Sequence, residues 1–324
     1  RYNCNRLAAS GVARTPLPLR LHRVHASPVR VRSENPRNAF IPQLTFLIAE
    51  SGTPADRQER RADTGKSSGE TYRATLKQMR PGCTVDLVRP SDDGALPLSA
   101  KDIAAYDAVF ITGSPLHVYE DSPVVDRQLA FMRAVFASGT PSFGSCAGLQ
   151  VAVAAAGGTV RRMPQRLEAG ISRRITATAQ GRDHPLLAGR PAVWDAPALH
   201  ADEVECLPDN ALVLAGNAVT PVQAAEIRHD RGIFWGVQYH PELSLAEIAD
   251  ALRRESDALV KADLARSEGE VEEQARLYDA LDCEPESRAL QWRLGVDGEL
   301  ALEERRRLEI TNFLAAIPSL DRRA

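Results

Sequence analysis

The cysteine Cys146 lies between two glycines, directly after a short apolar run and directly before a helix-forming one. Residues 141–148 read Pro-Ser-Phe-Gly-Ser-Cys-Ala-Gly. The pattern is typical of a nucleophile elbow, in which a strand ends, the chain turns sharply and a reactive side chain is exposed where a helix begins. The positive end of the helix dipole at that position favours the nucleophilic thiolate. Taken alone, the segment fits a buried structural cysteine equally well.

A cysteine nucleophile needs a base, and the base needs a group that orients it. Residues 236–242 read Gly-Val-Gln-Tyr-His-Pro-Glu, and they follow an apolar stretch that predicts a buried strand. Residues two apart in an extended segment project to the same face, so Glu242 can lie beside His240 and hold its tautomer. Taken alone, this segment is more often a surface His-Pro-Glu turn.

Together the two segments resemble the class I, triad-type glutamine amidotransferases, which include the glutaminase domains of GMP synthetase and carbamoyl phosphate synthetase. The family pattern G-x-C-x-G-x-Q is matched by Gly144, Cys146, Gly148 and Gln150. The pattern G-V-Q-[FY]-H-P-E is matched by residues 236–242. The resemblance covers approximately residues 42–245 and implies a catalytic triad, whose members are Cys146, His240 and Glu242.

Two other segments are similar to family elements. Residues 109–115, Val-Phe-Ile-Thr-Gly-Ser-Pro, resemble a strand that ends in S-G-G-P, and residues 199–204 resemble the S-H-G-D-x-V segment near the glutamine pocket. The resemblance implies an oxyanion hole formed by the backbone N–H groups of Ala147 and Ser114. Ser114 replaces a family glycine, so its backbone must suit a residue with a Cβ.

The resemblance also implies residues that bind the substrate, namely Gly113, Gln150 and His200. For His200, a structural histidine with satisfied hydrogen bonds is at least as good an interpretation. Neither a metal ion nor a cofactor is expected at this site. The substrate is expected to be glutamine or a γ-glutamyl compound.

The implied reaction is hydrolysis of the glutamine side-chain amide. Cys146 attacks the carboxamide, a γ-glutamyl thioester forms, and ammonia and then glutamate are released. The chain could be a glutaminase subunit that serves a separate ATP-dependent synthetase, which is the favoured hypothesis. It could instead be a stand-alone hydrolase of γ-glutamyl amides or peptides. A third possibility is a binding or regulatory module without catalysis, against which the intact triad counts.

The order of apolar runs predicts the elements that must position these residues. Buried strands are expected at 44–49, 84–88, 108–111 and 142–145, and helices at 71–79 and 124–136. Strands that alternate with helices indicate a doubly wound, mostly parallel α/β sheet. The resemblance implies its flavodoxin-like form, with antiparallel strands between residues 158 and 238. Ligands of such sheets bind beyond the carboxyl ends of the strands, where Gly113, Cys146 and His240 are expected.

Other segments predict the surroundings of this sheet. The polar stretch 53–70 is expected to be a mobile loop. Amphipathic patterns predict helices at 246–264, 268–281 and 300–314, which pack on the core or on a partner. We therefore expect a catalytic domain over 42–245 and a helical extension over 246–324. Residues 1–41, rich in Arg and poor in acids, are expected to be disordered, as a transit peptide or an artefactual extension.

Composition excludes several classes of function. The 324 residues carry a net charge of −3, which gives no electrostatic basis for binding nucleic acid or an anionic membrane. No apolar run approaches the ~20 residues that span a bilayer. The five cysteines are scattered without a C-x-x-C spacing, which argues against structural zinc and favours a reducing compartment. A cytoplasmic location is therefore expected.

Overall fold

The computed structural model describes residues 43–164 and 167–320. Within them the strands are β1 (Thr45–Ala49), β2 (Thr84–Val88), β3 (Ala108–Ile111), β4 (Ser142–Ser145), β5 (Thr159–Arg162), β6 (Glu168–Ala177), β7 (Val193–His200), β8 (Asp202–Cys206), β9 (Ala211–Gly216), β10 (Ala224–His229) and β11 (Gly232–Val237). The helices are α1 (Pro54–Thr64), α2 (Ser68–Met79), α3 (Ala100–Ile103), α4 (Pro123–Ser138), α5 (Ala147–Ala155), α6 (Ala179–Arg182), α7 (Leu245–Arg254), α8 (Ser256–Lys261), α9 (Glu268–Cys283), α10 (Arg288–Leu294), α11 (Gly298–Ala301), α12 (Glu303–Arg306) and α13 (Leu308–Leu320).

Nine of these strands form one sheet in the order β2-β1-β3-β4-β11-β10-β9-β6-β7. The first five strands in this order run parallel, and the remaining pairs are antiparallel. Gly144 pairs with Ile111 on one side and with Gly236 on the other, so β3, β4 and β11 end at the same edge. The predicted flavodoxin-like α/β fold is confirmed, with a parallel half that carries the motif segments and an antiparallel half beside it.

Helices cover both faces of the sheet, because its central strands are apolar on both sides. All four residues of β3 are buried. On one face, Tyr72 of α2 and Phe313 of α13 belong to the same buried cluster as Phe110 of β3. On the other face, Met132 of α4 and Leu149 of α5 pack with the remaining strand residues.

The last helix of the chain is part of this core. The ring of Phe313 lies 5.5 Å from Phe110, 5.5 Å from Phe143 and 5.9 Å from Trp235, measured between ring centroids. One turn earlier, the buried carboxylate of Glu309 accepts a 2.7 Å hydrogen bond from the hydroxyl of Tyr239. Helix α13 is therefore fixed to the residue that directly precedes His240.

The single helix predicted over 300–314 is wrong, since this stretch forms parts of α11, α12 and α13. The backbone is extended at Leu302, where α11 ends and α12 begins. The guanidinium group of Arg306 donates to the carbonyl groups of Leu300 and Ala301. These bonds satisfy carbonyls that a continuous helix would have bonded internally.

The loop expected over residues 53–70 is also wrong, because most of it is helix. Thr53 and Asp56 form a capping box at the start of α1, with Pro54 at the first helical position. The helix lacks a long apolar stripe and is instead held by ion pairs, from Arg57 to Asp92 and from Arg60 to Glu247.

The leader predicted over residues 1–41 lies outside the described residues. The domain boundary at 245/246 and the cytoplasmic location stay predictions. Across residues 43–164 and 167–320, every helix is too short or too polar to cross a bilayer.

Candidate active site

Cys146 lies in the sharp turn between β4 and α5. Its backbone has φ 53° and ψ −115°, a combination that residues with a Cβ rarely adopt and that costs on the order of 1–3 kcal/mol. The turn is held by a 2.8 Å hydrogen bond from the Cys146 N–H to the carbonyl of Val237 at the end of β11. The residue is 7% exposed. The side chain of Cys146 is thus presented by a strained backbone that the neighbouring strand holds in place.

Two glycines make this turn possible. A Cβ on Gly148 would lie 2.5 Å from the carbonyl oxygen of Ile111, closer than any real Cβ contact. A Cβ on Gly144 would lie 3.0 Å from Phe234. Helix α5 can therefore approach β3 closely only because both positions lack side chains.

His240 follows β11 and reaches Cys146 from the adjacent strand end. Its Nδ1 lies 2.8 Å from Oε1 of Glu242. Its ring lies close to Cys146, since a Cβ on Gly113 would be 2.8 Å from Cε1 of His240 and 3.5 Å from Cβ of Cys146. The backbone N–H of His240 donates a hydrogen bond of 2.8 Å to the carbonyl of Pro197, which fixes the backbone at this position. Because Glu242 holds Nδ1, the other ring nitrogen is left to face the sulfur. The structure therefore brings together the three side chains that the two motifs single out.

The charges around His240 change its proton affinity. Burial by itself lowers the pKa of His240, but the Glu242 carboxylate and the Cys146 thiolate raise it more strongly, to about 10. The imidazole is thus held in its protonated form beside Cys146. A thiolate–imidazolium pair is the reactive state of a cysteine nucleophile.

The two backbone groups expected to form an oxyanion hole lie just beyond the ends of β4 and β3. Ala147 is the first residue of α5, where an N–H group has no acceptor within its own helix. Ser114 follows β3 and lines the cavity at the sulfur. Its φ is not positive, so its backbone accommodates the Cβ that the family glycine lacks.

The three residues expected to bind substrate all line the same cavity. Gly113 lies against Cys146 and His240, since a Cβ there would be 3.5 Å from Cβ of Cys146 and 2.8 Å from Cε1 of His240. Nε2 of Gln150 lies 3.2 Å from Oε1 of Gln238, which orients the Gln150 amide. The ring of His200 has an acceptor at each nitrogen, the Asp202 carbonyl at 3.0 Å and the Glu168 carboxylate at 3.1 Å. His200 is therefore a buried, fully hydrogen-bonded wall residue.

The cavity has a volume of about 520 Å³ and extends well beyond the triad. Leu243 follows Glu242 in the chain, and helices α7 and α8 contribute Ala251, Ala258 and Leu259 to the cavity lining. Helix α1, which was not predicted, contributes Arg60. The cavity is therefore lined by Cys146, His240 and Glu242 together with a partly apolar surface from α7 and α8.

Several side chains at the site were not anticipated. Ser145, directly before the nucleophile, donates to Oε1 of Glu242 at 3.0 Å. The carboxylate of Asp202 lies 2.5 Å from Nδ1 of His117 and accepts from the hydroxyl of Tyr119 at 3.1 Å, which ties down the loop that carries Ser114. Local sequence patterns give no signal for these long-range contacts.

The sequence does contain a signal for helix α1, which was not predicted. The residues Thr-Pro-Ala-Asp at positions 53–56 are a helix start with a capping residue and proline, and they predict α1 with its cavity residue Arg60. Among the described residues, no group of three or more His, Cys, Asp or Glu side chains could hold a metal ion.

The sequence was compared with models of known protein families. The family model of class-I glutamine amidotransferases matches residues 62–256, which is more than half of the chain. The chain belongs to the class-I glutamine amidotransferase family, and it is an enzyme of that family.

Two curated relatives are informative. A γ-glutamyl-L-1-hydroxyisopropylamide hydrolase of a Pseudomonas species is 39% identical over 224 residues, which are 68% of this chain and 74% of the relative. The glutamine-hydrolysing GMP synthase of Thermosipho africanus is 34% identical over 146 residues, which are 45% of this chain. The chain matches only 26% of that synthase.

Solved structures show the same fold. A glutamine amidotransferase from Thermotoga maritima superposes with a TM-score of 0.58 at 15% identity, covering 85% of this chain and 98% of the other. A glutamine amidotransferase from Methylobacillus flagellatus gives 0.57 at 18% identity, covering 84% and 94%. At these identities the likeness establishes the fold alone.

The close packing at Gly113 leads to a testable prediction. In Gly113→Ala, the new Cβ would lie 2.8 Å from Cε1 of His240, so the ring must move away from the sulfur. Because an unpaired thiol is only a few per cent thiolate at neutral pH, alkylation of Cys146 by iodoacetamide should slow roughly tenfold. The measurement is mass spectrometry of the peptide that contains Cys146.

The matched control is Gly269→Ala in α9, where only Ser267 Oγ lies within 4 Å of the new Cβ. This variant should be alkylated at the wild-type rate. An unchanged alkylation rate in Gly113→Ala, with the same melting temperature, would contradict the described contact between the imidazole and the sulfur.

Proposed function

We propose that this enzyme hydrolyses γ-glutamyl amides with Cys146 as nucleophile, His240 as acid and base, and Glu242 as the group that orients the imidazole. The observation that carries the proposal is the hydrogen bond of 2.8 Å between Nδ1 of His240 and Glu242. It directs the opposite ring nitrogen to Cys146, which sits at a strained elbow. Strained backbone dihedral angles such as those of Cys146 are characteristic of a functional position.

In the first half of the reaction, the Cys146 thiolate attacks the γ-carbonyl carbon and a C–S bond forms. The carbonyl oxygen becomes negatively charged and is stabilised by the backbone N–H groups of Ala147 and Ser114. The imidazolium of His240 donates its proton to the amide nitrogen, the C–N bond breaks, and the amine leaves. The product on the enzyme is a γ-glutamyl thioester.

In the second half, the neutral imidazole of His240 takes a proton from water, and the hydroxide formed attacks the thioester carbon. The C–S bond breaks, glutamate leaves, and the Cys146 thiolate and the imidazolium are regenerated. Glu242 stays ionised throughout and stabilises the imidazolium. Gly113 and Gln150 would bind the glutamyl part of the substrate, and no metal or cofactor takes part in these steps.

With glutamine as substrate, the amine that leaves is ammonia. The relatives that are GMP synthases support glutamine, because they are described as glutamine-hydrolysing. A separate ATP-dependent synthetase would then receive the ammonia. This chain spans only about a quarter to 30% of those synthases, so such a partner rests on the family relationship.

A second candidate is a stand-alone hydrolase of N-substituted γ-glutamyl amides. The observation in its favour is the cavity of about 520 Å³, of which glutamine fills only part. The cavity lining includes Leu243 and Leu259, and Leu259 lies beyond residue 256, where the segment that the family model matches ends. An apolar substituent on the leaving nitrogen would fit there. The Pseudomonas relative, which bears the name of a substituted-amide hydrolase, points the same way.

The proposal predicts release of glutamate from both glutamine and γ-glutamyl-propylamide by the wild type. Cys146→Ala should lower both rates by ~10³-fold or more, since the nucleophile is lost. If the wall binds the substituent, kcat/KM should rise by about fourfold for each methylene added, which corresponds to ~0.8 kcal/mol of burial. Glutamate release is measured by a coupled enzymatic assay.

The control for this experiment is Cys206→Ala, which removes an exposed cysteine on β8. It should retain wild-type turnover of both substrates. No glutamate release from any γ-glutamyl amide would refute the proposed function, and equal kcat/KM along the alkyl series would refute the second candidate.

The raised pKa of His240 predicts the basic limb of the pH profile. Because the amine leaves only if His240 is protonated, kcat/KM should fall as the pH rises through about 10. Glu242→Gln removes a negative charge that raises this pKa, so the fall should begin at lower pH. The measurement is kcat/KM between about pH 6 and about pH 11, and an unshifted basic limb in Glu242→Gln would contradict the assignment.

A further inference from the structure

A buried chain of hydrogen bonds extends from Glu242 away from the cavity. Oγ of Ser145 lies 3.0 Å from Oε1 of Glu242, and the hydroxyl of Tyr72 lies 2.6 Å from Oγ of Ser145. Tyr72 and Ser145 are both fully buried. Tyr72 belongs to α2 and Ser145 ends β4, so the chain joins a helix on one face of the sheet to the catalytic edge.

The direction of each hydrogen bond follows from the donors available. An ionised carboxylate only accepts, so the single hydroxyl proton of Ser145 must point to Glu242. Oγ of Ser145 then accepts from Tyr72, which donates its own proton. Burial, together with the charge of Glu242, keeps the pKa of Tyr72 well above its usual value, so the phenol remains a donor.

Glu242 is held through one oxygen. Its Oε1 forms hydrogen bonds with both Ser145 and His240, while Oε2 is buried and has no hydrogen-bond partner among the described residues. Without Ser145, the Glu242 carboxylate would keep one hydrogen-bond partner, the imidazole of His240. The imidazole could not hold the carboxylate in place, because the carboxylate is the group that must orient the imidazole. The orientation of Glu242 therefore depends on a hydrogen bond from Ser145, which is not a member of the triad.

Tyr72 is itself fixed by the core. Its ring centroid lies 6.1 Å from that of Phe110, in the cluster beneath β3. A phenol held by packing on one side delivers its hydroxyl to one position, so it restricts the rotamer of Ser145.

We propose that Ser145 and Tyr72 are positioning residues of the reaction, which hold Glu242 in the orientation that aims His240 at Cys146. The inference rests on the proposed function for its catalytic readout. Neither residue touches the substrate, and neither exchanges a proton during turnover. Ser145 and Tyr72 would act in series, since Tyr72 reaches Glu242 only through Ser145.

The series arrangement gives a sharp test, a double-mutant cycle with Ser145→Ala and Tyr72→Phe. A hydrogen bond to a charged group is worth about 1.5–3 kcal/mol, so Ser145→Ala should lower kcat roughly 10- to 100-fold. KM should stay within about twofold, because the substrate contacts are intact. Tyr72→Phe should lower kcat by a smaller factor, and the double variant should match Ser145→Ala alone.

The matched control is Tyr278→Phe, which removes the hydroxyl of another fully buried tyrosine, which belongs to α9 and to a different buried cluster. It should leave kcat unchanged. Thermal unfolding of each variant is measured alongside, and Tyr72→Phe, which keeps the ring, preserves the test if Ser145→Ala does not fold.

The same variants are compared for alkylation of Cys146 by iodoacetamide, which reports the thiolate–imidazolium pair without any substrate. We expect the same order of rates, with the double variant equal to Ser145→Ala. The inference would be overturned if Ser145→Ala kept the wild-type kcat and the wild-type rate of Cys146 alkylation. It would also be overturned if the double variant lost activity by the product of the two single-variant factors. Failure of the wild type to hydrolyse any γ-glutamyl amide would instead count against the proposed function, and alkylation would still decide the positioning role.

Discussion

The site depends on one short hydrogen bond in a region shielded from water, the 2.8 Å contact between Nδ1 of His240 and Glu242. It fixes which nitrogen faces the sulfur, and the carboxylate charge offsets the cost of burying a protonated imidazole. The same segment reaches Cys146 because β11 lies beside β4 in the parallel part of the sheet, with Gly236 opposite Gly144. Sheet register therefore brings the imidazole to the cysteine.

The antiparallel half and the C-terminal helices complete the site from outside the motifs. The carbonyl of Pro197 on β7 fixes the backbone of His240, and Glu309 on α13 fixes Tyr239 beside it. Helices α7 and α8 contribute to the lining of the cavity that contains Cys146, His240 and Glu242. The arrangement of these three side chains is therefore supported by elements that come from the whole described chain, while part of the cavity lining comes from segments at the margins of the family match.

Much of the parallel core could be predicted from the sequence, since β2, β3 and β4 were expected with the bounds that the structure has. The motif residues could be placed at strand ends for the same reason. Helix α1 could not be found by apolar periodicity, because ion pairs such as Arg57 with Asp92 hold it. The contact between Ser145 and Tyr72 joins residues 73 positions apart, and no local pattern encodes it.

The central claim is that amide hydrolysis proceeds through a γ-glutamyl thioester on Cys146. Hydroxylamine added during turnover would capture such an intermediate as γ-glutamyl hydroxamate. If glutamine and a γ-glutamyl alkylamide pass through the same thioester, the ratio of hydroxamate to glutamate must be identical for both substrates. A ratio that changes with the leaving amine, or glutamate formed without any hydroxamate, would contradict the account.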